Sequence, residues 1–177
     1  MINKSLDISR IEPDELGALR DFAEHTFRVA WQHDNEPGHF EAYCRTAFTT
    51  EKLLAEMTAP GAEFYFVRRN GKRVAYLKLK LHCTPADWQE GPALQLERIY
   101  VAPDEQGTGL GSHLLAFTET RARATGAAWV WLSVWQKAPR SVAFYQKNGY
   151  EIFGVETFWI GDDPQSDWLM RKKMSDE

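Results

Sequence analysis

Gln106-Gly107-Thr108-Gly109-Leu110-Gly111-Ser112 is the stretch on which the fold of this chain turns. Before it, Ala93–Val101 reads as a strand that ends at Pro103; after it, Gly109–Thr125 carries apolar residues at Leu110, Leu114, Phe117 and Ala122, with Gly126 placed where helices commonly stop. The first amides of a helix have no partner inside it and lie at the positive end of its dipole. Glycines there let a ligand approach the backbone, so strand, glycine turn and helix in that order form a seat for a pyrophosphate. A plain tight turn with a capped helix is the alternative that these letters alone leave open.

Two familiar phosphate loops do not fit. A P-loop needs Lys and then Ser or Thr after its last glycine, whereas Gly111 is followed by Ser112 and His113. A dinucleotide fingerprint needs glycine at 112 and an acidic residue about twenty positions later; Ser112 and the run Trp129-Val130-Trp131-Leu132 supply neither.

Working outward, Ala127–Trp135 is almost wholly apolar, as for a strand covered on both faces, and Pro139 opens a short helix that ends at Asn148-Gly149. Tyr150–Ile160 and Gln165–Lys173 read as two strands around a Gly161-Asp162-Asp163-Pro164 turn. Toward the N-terminus, Phe64–Arg69 and Arg73–Leu81 flank Asn70-Gly71, a strong hairpin signal. Ser5–Arg10 alternates like a short first strand. Pro13 starts a helix with Leu16, Leu19, Ala23, Phe27 and Ala30 on one face, and further helical segments carry Phe40, Tyr43, Cys44, Ala47 and Phe48, then Glu51–Met57. The expectation is an α/β fold with a mixed central sheet of about seven strands, flanked by helices on both faces, and one domain over residues 1–177.

Three segments in this order resemble the core motifs of the GCN5-related N-acetyltransferase (GNAT) superfamily: Leu96-Glu97-Arg98-Ile99-Tyr100-Val101, then Gln106 to Gly111, then Ala143-Phe144-Tyr145-Gln146-Lys147-Asn148-Gly149-Tyr150. The resemblance spans roughly residues 62–174 and implies the GNAT fold and acetyl-CoA as co-substrate. It implies that the backbone at Ile99, Tyr100 and Val101 runs beside pantetheine and that Gln106, Gly107, Thr108, Gly109, Leu110, Gly111 and Ser112 hold the pyrophosphate. It also implies that Tyr145 stands next to the thioester sulfur. Trp131–Lys137 and Gly161–Asp167 are similar to bacterial PaiA-type proteins, whose described activity is polyamine acetylation, although Ala138 stands where that group usually has Asn.

Acyl transfer from a thioester to an amine needs a neutral amine, a stabilised oxyanion and a proton for the departing thiolate. An alkyl ammonium has a pKa of about 10.4 and must lose a proton before attack. Glu97 is the candidate acceptor, on the expectation that Gln95, Glu97, Ile99 and Val101 share one strand face; a salt bridge to Lys78 or Arg98 is its structural alternative. Tyr145, a phenol of pKa about 10, suits proton donation to a thiolate whose acid lies at about 8.5. A backbone N–H near Tyr100 or Val101 would meet the oxyanion. The sequence therefore predicts acetyl transfer, in a ternary complex, to a primary amine of a small cationic substrate such as a polyamine. A protein or peptide amine, or a module that binds acyl-CoA without turnover, are the alternatives.

Composition narrows the partners. A net charge of −4 argues against a nucleic-acid binder. The five scattered histidines lack metal-ligand spacing, so no metal is expected. Cys44 and Cys83 read as free thiols, and Trp129, Trp131 and Trp135 as cover between sheet and helix. Asp34, Glu36, Glu41, Asp162, Asp163 and Asp167 are either a lure for a cation or a solvated acidic surface. No apolar run approaches the roughly 20 residues of a membrane span, and Met1–Arg10 has no secretory pattern, which points to the cytoplasm. The C-terminal strands could offer an edge at which two copies pair as a homodimer.

Overall fold

In the computed structural model, which describes residues 5–175, Asn70 and Gly71 both adopt positive φ, 51° and 80°, and fold Ala62–Arg69 (β2) onto Lys72–Lys80 (β3). That is the type I′ geometry the dipeptide favours. The first four residues of the stretch read for a secretory pattern lie outside the described residues. Leu6–Arg10 (β1) pairs with β2, and Ala93–Val101 (β4) with β3, all antiparallel. Trp129–Trp135 (β5), Glu151–Ile160 (β6) and Asp163–Lys173 (β7) complete a seven-stranded sheet of order β1-β2-β3-β4-β5-β7-β6. Only β4 and β5 run parallel, joined through the helix Leu110–Ala124 (α4), as a parallel pair requires.

Leu16–Trp31 (α1), Pro37–Ala47 (α2) and Thr50–Thr58 (α3) precede β2. The starts of α2 and α3 have a local cause. Pro37 fills the first turn of α2 while the Glu36 carboxylate accepts from the amides of Gly38 (3.0 Å) and His39 (2.8 Å); Thr49 caps α3 by accepting from Lys52 (3.2 Å). Pro139–Lys147 (α5) follows β5.

The two sheet faces are covered differently. Leu110, Leu114, Leu115 and Ala122 of α4, with Tyr145 of α5, pack on Val67, Leu77, Leu94, Leu96, Leu132 and Met170. Leu19, Ala23 and Phe27 of α1, with Phe40 and Cys44 of α2, pack on Phe64, Phe66 and Tyr76. A fully buried leucine contributes about 2 kcal/mol, so both faces are firmly held. Cys44 and Cys83 are free thiols, and no described helix is long and apolar enough to cross a membrane.

Among the boundaries that differ from the sequence expectation, two have a visible cause. β5 starts at Trp129 because Ala127 donates to Ala122 O (2.9 Å), closing α4, and Ala128 donates to Pro92 O (2.8 Å). The final hairpin turns on Gly161-Asp162 alone: Gly161 takes φ 59° and Ile160 pairs with Asp163. Glycine at the first central position of a two-residue turn suits the type II′ form. β6 is an edge strand that leaves Val155 and Trp159 exposed.

Candidate active site

β4 and β5 stay paired only from Ala93–Trp129 to Gln95–Trp131, after which the strands part. Ala102 N–H donates to Val74 O of β3 (2.8 Å). Because backbone groups alternate sides along a strand, the Val101 and Ile99 amides aim the other way, into the opening that β5 has left. A parallel pair that separates thus exposes ladder donors at the centre of a sheet, where donors are otherwise satisfied.

The glycine turn closes the wide end of that opening. Gly107 and Gly109 take φ 77° and 84°, conformations that disfavour a side chain, and Gly109 caps α4. Among the described residues, no amide from Gly107 to Ser112 donates to the protein; the first to do so is His113, to Gly109 O at 3.2 Å. Gln106 turns its side-chain amide back to Val101 O (3.4 Å), tying the turn to β4. At Gly111 an added Cβ would lie 2.9 Å from Phe144 Cζ, so α5 reaches α4 because that position is glycine. Free amides on β4 and at the helix start fit an extended chain ending in a diphosphate.

On the side of the sheet covered by α1 and α2 the opening widens into a cavity of about 310 Å³. Tyr145 lines it, buried, with the rings of Phe144 and Tyr150 at 5.2 and 6.0 Å. Burial, helped by Tyr100, pushes the Tyr145 hydroxyl well above its ordinary pKa, so it stays protonated near neutral pH. Ala138, at the start of α5, donates its amide to Trp135 O (3.0 Å) and is itself buried.

Glu97 also lines this cavity, but not through the expected alternation. The register runs Lys78–Arg98 and then Leu79–Leu96, so Glu97 is the extra residue of a β-bulge. The bulge exchanges the faces: Leu94, Leu96, Ile99 and Val101 join the α4 side, while Tyr100 packs against the aromatic core beneath α1. The four residues from Gln95 to Val101 therefore do not share one face. Lys78, 5% exposed, pairs with both Glu97 and Glu56 of α3, the latter at 3.1 Å, and Arg98 reaches Glu56 at 2.8 Å. Lys78 and Arg98 sit opposite each other across β3 and β4, and two carboxylates offset that repulsion.

Of the three tryptophans read as sheet cover, Trp131 is buried, whereas Trp129 and Trp135 are half-buried. Trp129 and Trp131 donate their indole N–H groups to Glu90 O (3.0 Å) and Cys83 O (2.8 Å) of the loop before β4. Trp135 lines the cavity, edge-on to Trp31 at 5.9 Å. Of the acidic residues, Glu36 caps α2 and Glu41 pairs with Arg28, whereas Asp167 is buried on the cavity wall. Glu156, which the sequence reading passed over, lies beside it in register across β6 and β7 and accepts from the Ser133 hydroxyl. The described residues contain no cluster of His, Cys, Asp and Glu able to hold a metal.

A split parallel pair, a glycine-opened helix with free amides and an adjoining cavity define a protein that binds an acylated, phosphate-bearing carrier. Residues 17–150 match the model of the acetyltransferase (GNAT) family, and the chain belongs to that family. It is an N-acetyltransferase that uses acetyl-CoA. It is 29% identical to an uncharacterized N-acetyltransferase of Lactobacillus delbrueckii subsp. lactis, over 94% of this chain and 96% of that one. It is 28% identical to an uncharacterized N-acetyltransferase of Mycobacterium bovis, over 92% and 98%. Its fold resembles that of the PaiA N-acetyltransferase from Thermoplasma acidophilum in complex with coenzyme A, with a TM-score of 0.75, 20% identity, and 96% and 99% of the two chains covered.

Proposed function

We propose that this chain transfers the acetyl group of acetyl-CoA to the primary amine of a small cationic molecule, by direct attack in a ternary complex. One observation carries the reading. The free amides at 99, 101 and 107–112 run along the split between β4 and β5, and that split opens beside Tyr145 into a cavity walled by aromatic rings and carboxylates.

Acetyl-CoA supplies the activated acyl group and a thiolate leaving group. The turn from Gly107 to Ser112 holds the diphosphate through backbone N–H groups and the positive end of α4. The Ile99 and Val101 amides hold the pantetheine arm, and an amide at this end of β4 meets the developing oxyanion, a fixed donor that needs no reorganisation. Tyr145 gives its proton to sulfur as the C–S bond breaks. Burial keeps the phenol protonated and makes it a weaker acid, so its transfer is driven by the charge that builds on sulfur in the same desolvated site. Glu97 lies near the reacting end, but Lys78 already holds its charge, so its part is to fix the bulge and the ion cluster behind it.

Acetyl-CoA is abundant in the cytoplasm, which is where this reading places the reaction. The likeness of Trp131–Lys137 and Gly161–Asp167 to PaiA-type proteins puts polyamines among the acceptors to be tried. The test is release of CoA thiol from acetyl-CoA in the presence of spermidine, spermine, lysine, aminoglycosides and arylalkylamines in turn. Turnover with at least one amine is expected; no release with any of them, above hydrolysis alone, would overturn the reading.

A further inference from the structure

Trp135, Asp167 and Glu156 are consecutive partners across β5, β7 and β6, so their side chains rise from one face of the sheet into the cavity. Asp167 is 8% exposed and, among the described residues, makes no ion pair or side-chain hydrogen bond, so that burial and the charge of Glu156 are what act on its carboxyl. A buried carboxylate without a partner is costly, and such groups are retained where a ligand completes them. The groups facing it are Glu156 from β6, Ser133 and Trp135 from β5 and Tyr100 from β4. The nearest arginine on that wall, Arg98, is engaged by Glu56.

A second orphan acceptor lines the same cavity. Asn35, just beyond α1, donates its amide to Trp31 O (2.9 Å), and its buried Oδ1 has no partner. The cavity thus offers Asp167, Glu156 and Asn35 Oδ1 as acceptors, and among the described residues the one cation in its lining, Arg98, is paired with Glu56. An ammonium, with three N–H donors and one positive charge, is the complement of that set. Aromatic rings form most of the remaining wall, Phe27, Trp31, Tyr43, Phe48, Trp135 and Phe158; the one further carboxylate that lines it, Glu97, is held by Lys78, and Gln95, Ser141 and Gln165 are neutral. Rings suit an apolar body or a cation close to their faces, but cannot hydrogen-bond a second or third ammonium along a linear chain.

We propose that Asp167, backed by Glu156 and Asn35, receives the ammonium of the acceptor and accepts its proton, and that the aromatic wall selects a monoamine with an apolar body, an arylalkylamine, over a linear polyamine. The assignment rests on the acetyltransferase reading above. The ammonium first gives one proton to the Asp167 carboxylate, leaving R–NH₂. The nitrogen lone pair then forms the C–N bond, and the carbonyl π pair moves to oxygen. As the oxyanion collapses the C–S bond breaks, sulfur takes the Tyr145 proton, and the proton still carried by the new C–N nitrogen restores the phenol. The proton on Asp167 leaves to solvent, so ammonium and thioester become amide, thiol and one proton. Burial, with the charge of Glu156, lifts the Asp167 carboxyl to about 6, near the pH at which it must work.

The test compares phenylethylamine with spermidine, in the parent, Asp167→Asn and Glu97→Gln proteins, by kcat/KM against pH and by CoA affinity. The parent is expected to favour phenylethylamine, with kcat/KM rising as pH passes about 6. Asp167→Asn should lose about 100-fold or more in kcat/KM and lose that limb, with CoA affinity unchanged, because general-base assistance is worth about 10²–10⁴. Glu97→Gln should keep the limb. An Asp167→Asn protein that keeps activity and limb overturns the Asp167 assignment alone, and spermidine as the better substrate overturns the aromatic selection. A parent that releases no thiol with any amine removes the acetyltransferase reading as well.

Discussion

The indole N–H of Trp31, at the end of α1, donates to the hydroxyl of Tyr100 near the tip of β4, 3.0 Å away. That bond joins the helix that walls the cavity to the strand whose Ile99 and Val101 amides face the split between β4 and β5. Tyr100 is half-buried and stacked on Tyr76 at 5.7 Å, and its ring in turn fixes the backbone beside it.

Trp31→Phe keeps most of the ring and removes the donor. A lost hydrogen bond of this kind costs about 1 kcal/mol, a drop of about 2–4 °C in Tm for a chain of this size. Steady-state kinetics should show KM for the amine raised several-fold and KM for acetyl-CoA little changed. An effect confined to acetyl-CoA would show that the bond serves the cofactor side instead.

Gly111→Ala should act at a distance. The new Cβ would meet Phe144 Cζ at 2.9 Å and push on the helix that carries Tyr145. Overpacking of this sort costs about 1–3 kcal/mol. Thermal melts and CoA titration should show lower stability and weaker CoA binding, and Phe144→Leu in the same chain should restore part of both.

Burial opposes ionisation of Glu56, but the hydrogen bonds and charge of Arg98, with Lys78, hold its carboxyl below the usual range. A carboxylate depressed in the folded state stabilises above its unfolded pKa of about 4.3, and that stability fades as pH falls through and below that value. Glu56→Gln should therefore melt well below the parent at pH 7, by about 3 kcal/mol, since it takes the carboxylate from Arg98 and leaves Lys78 with Glu97 alone. The two curves should converge as pH drops below about 4. A gap that is constant with pH would contradict the ion-pair account.

Asp167 carries the opposite sign. Its folded carboxyl, at about 6, lies above the ordinary 3.8, so the native state binds the proton more tightly and stability falls as pH rises through that interval. Asp167→Asn should raise Tm at pH 7 and leave it nearly unchanged at pH 4. A variant more stable but less active is what a buried, functionally retained charge produces.

These residues also show what was legible beforehand. Asn70-Gly71, the prolines opening the helices and the glycine turn at 107–111 act through local backbone rules, so sequence alone places the hairpin, the helix starts and the turn before α4. The bulge at Glu97 is a property of pairing between β3 and β4; its one local trace is the adjacent polar pair Glu97-Arg98, which interrupts the alternation of Leu94 and Leu96 before Ile99 and Val101 resume it on the same face. Glu156 and Asp167 meet only through hairpin register. A turn on Gly161 and Asp162 pairs 160 with 163 and hence 156 with 167; the four-residue turn read from Gly161 to Pro164 pairs Glu156 with Leu169 and conceals the site. Trp135 reads as core because alternation reports which side a ring faces, not whether a helix covers that side.

Tyr145→Phe tests the central claim most directly, because it removes one hydroxyl and leaves the ring in place. Calorimetric titration with CoA should give the affinity of the parent, while thiol release with the best amine should fall by about 100-fold or more. Full turnover in Tyr145→Phe, or a parent protein with no affinity for CoA, would contradict the account.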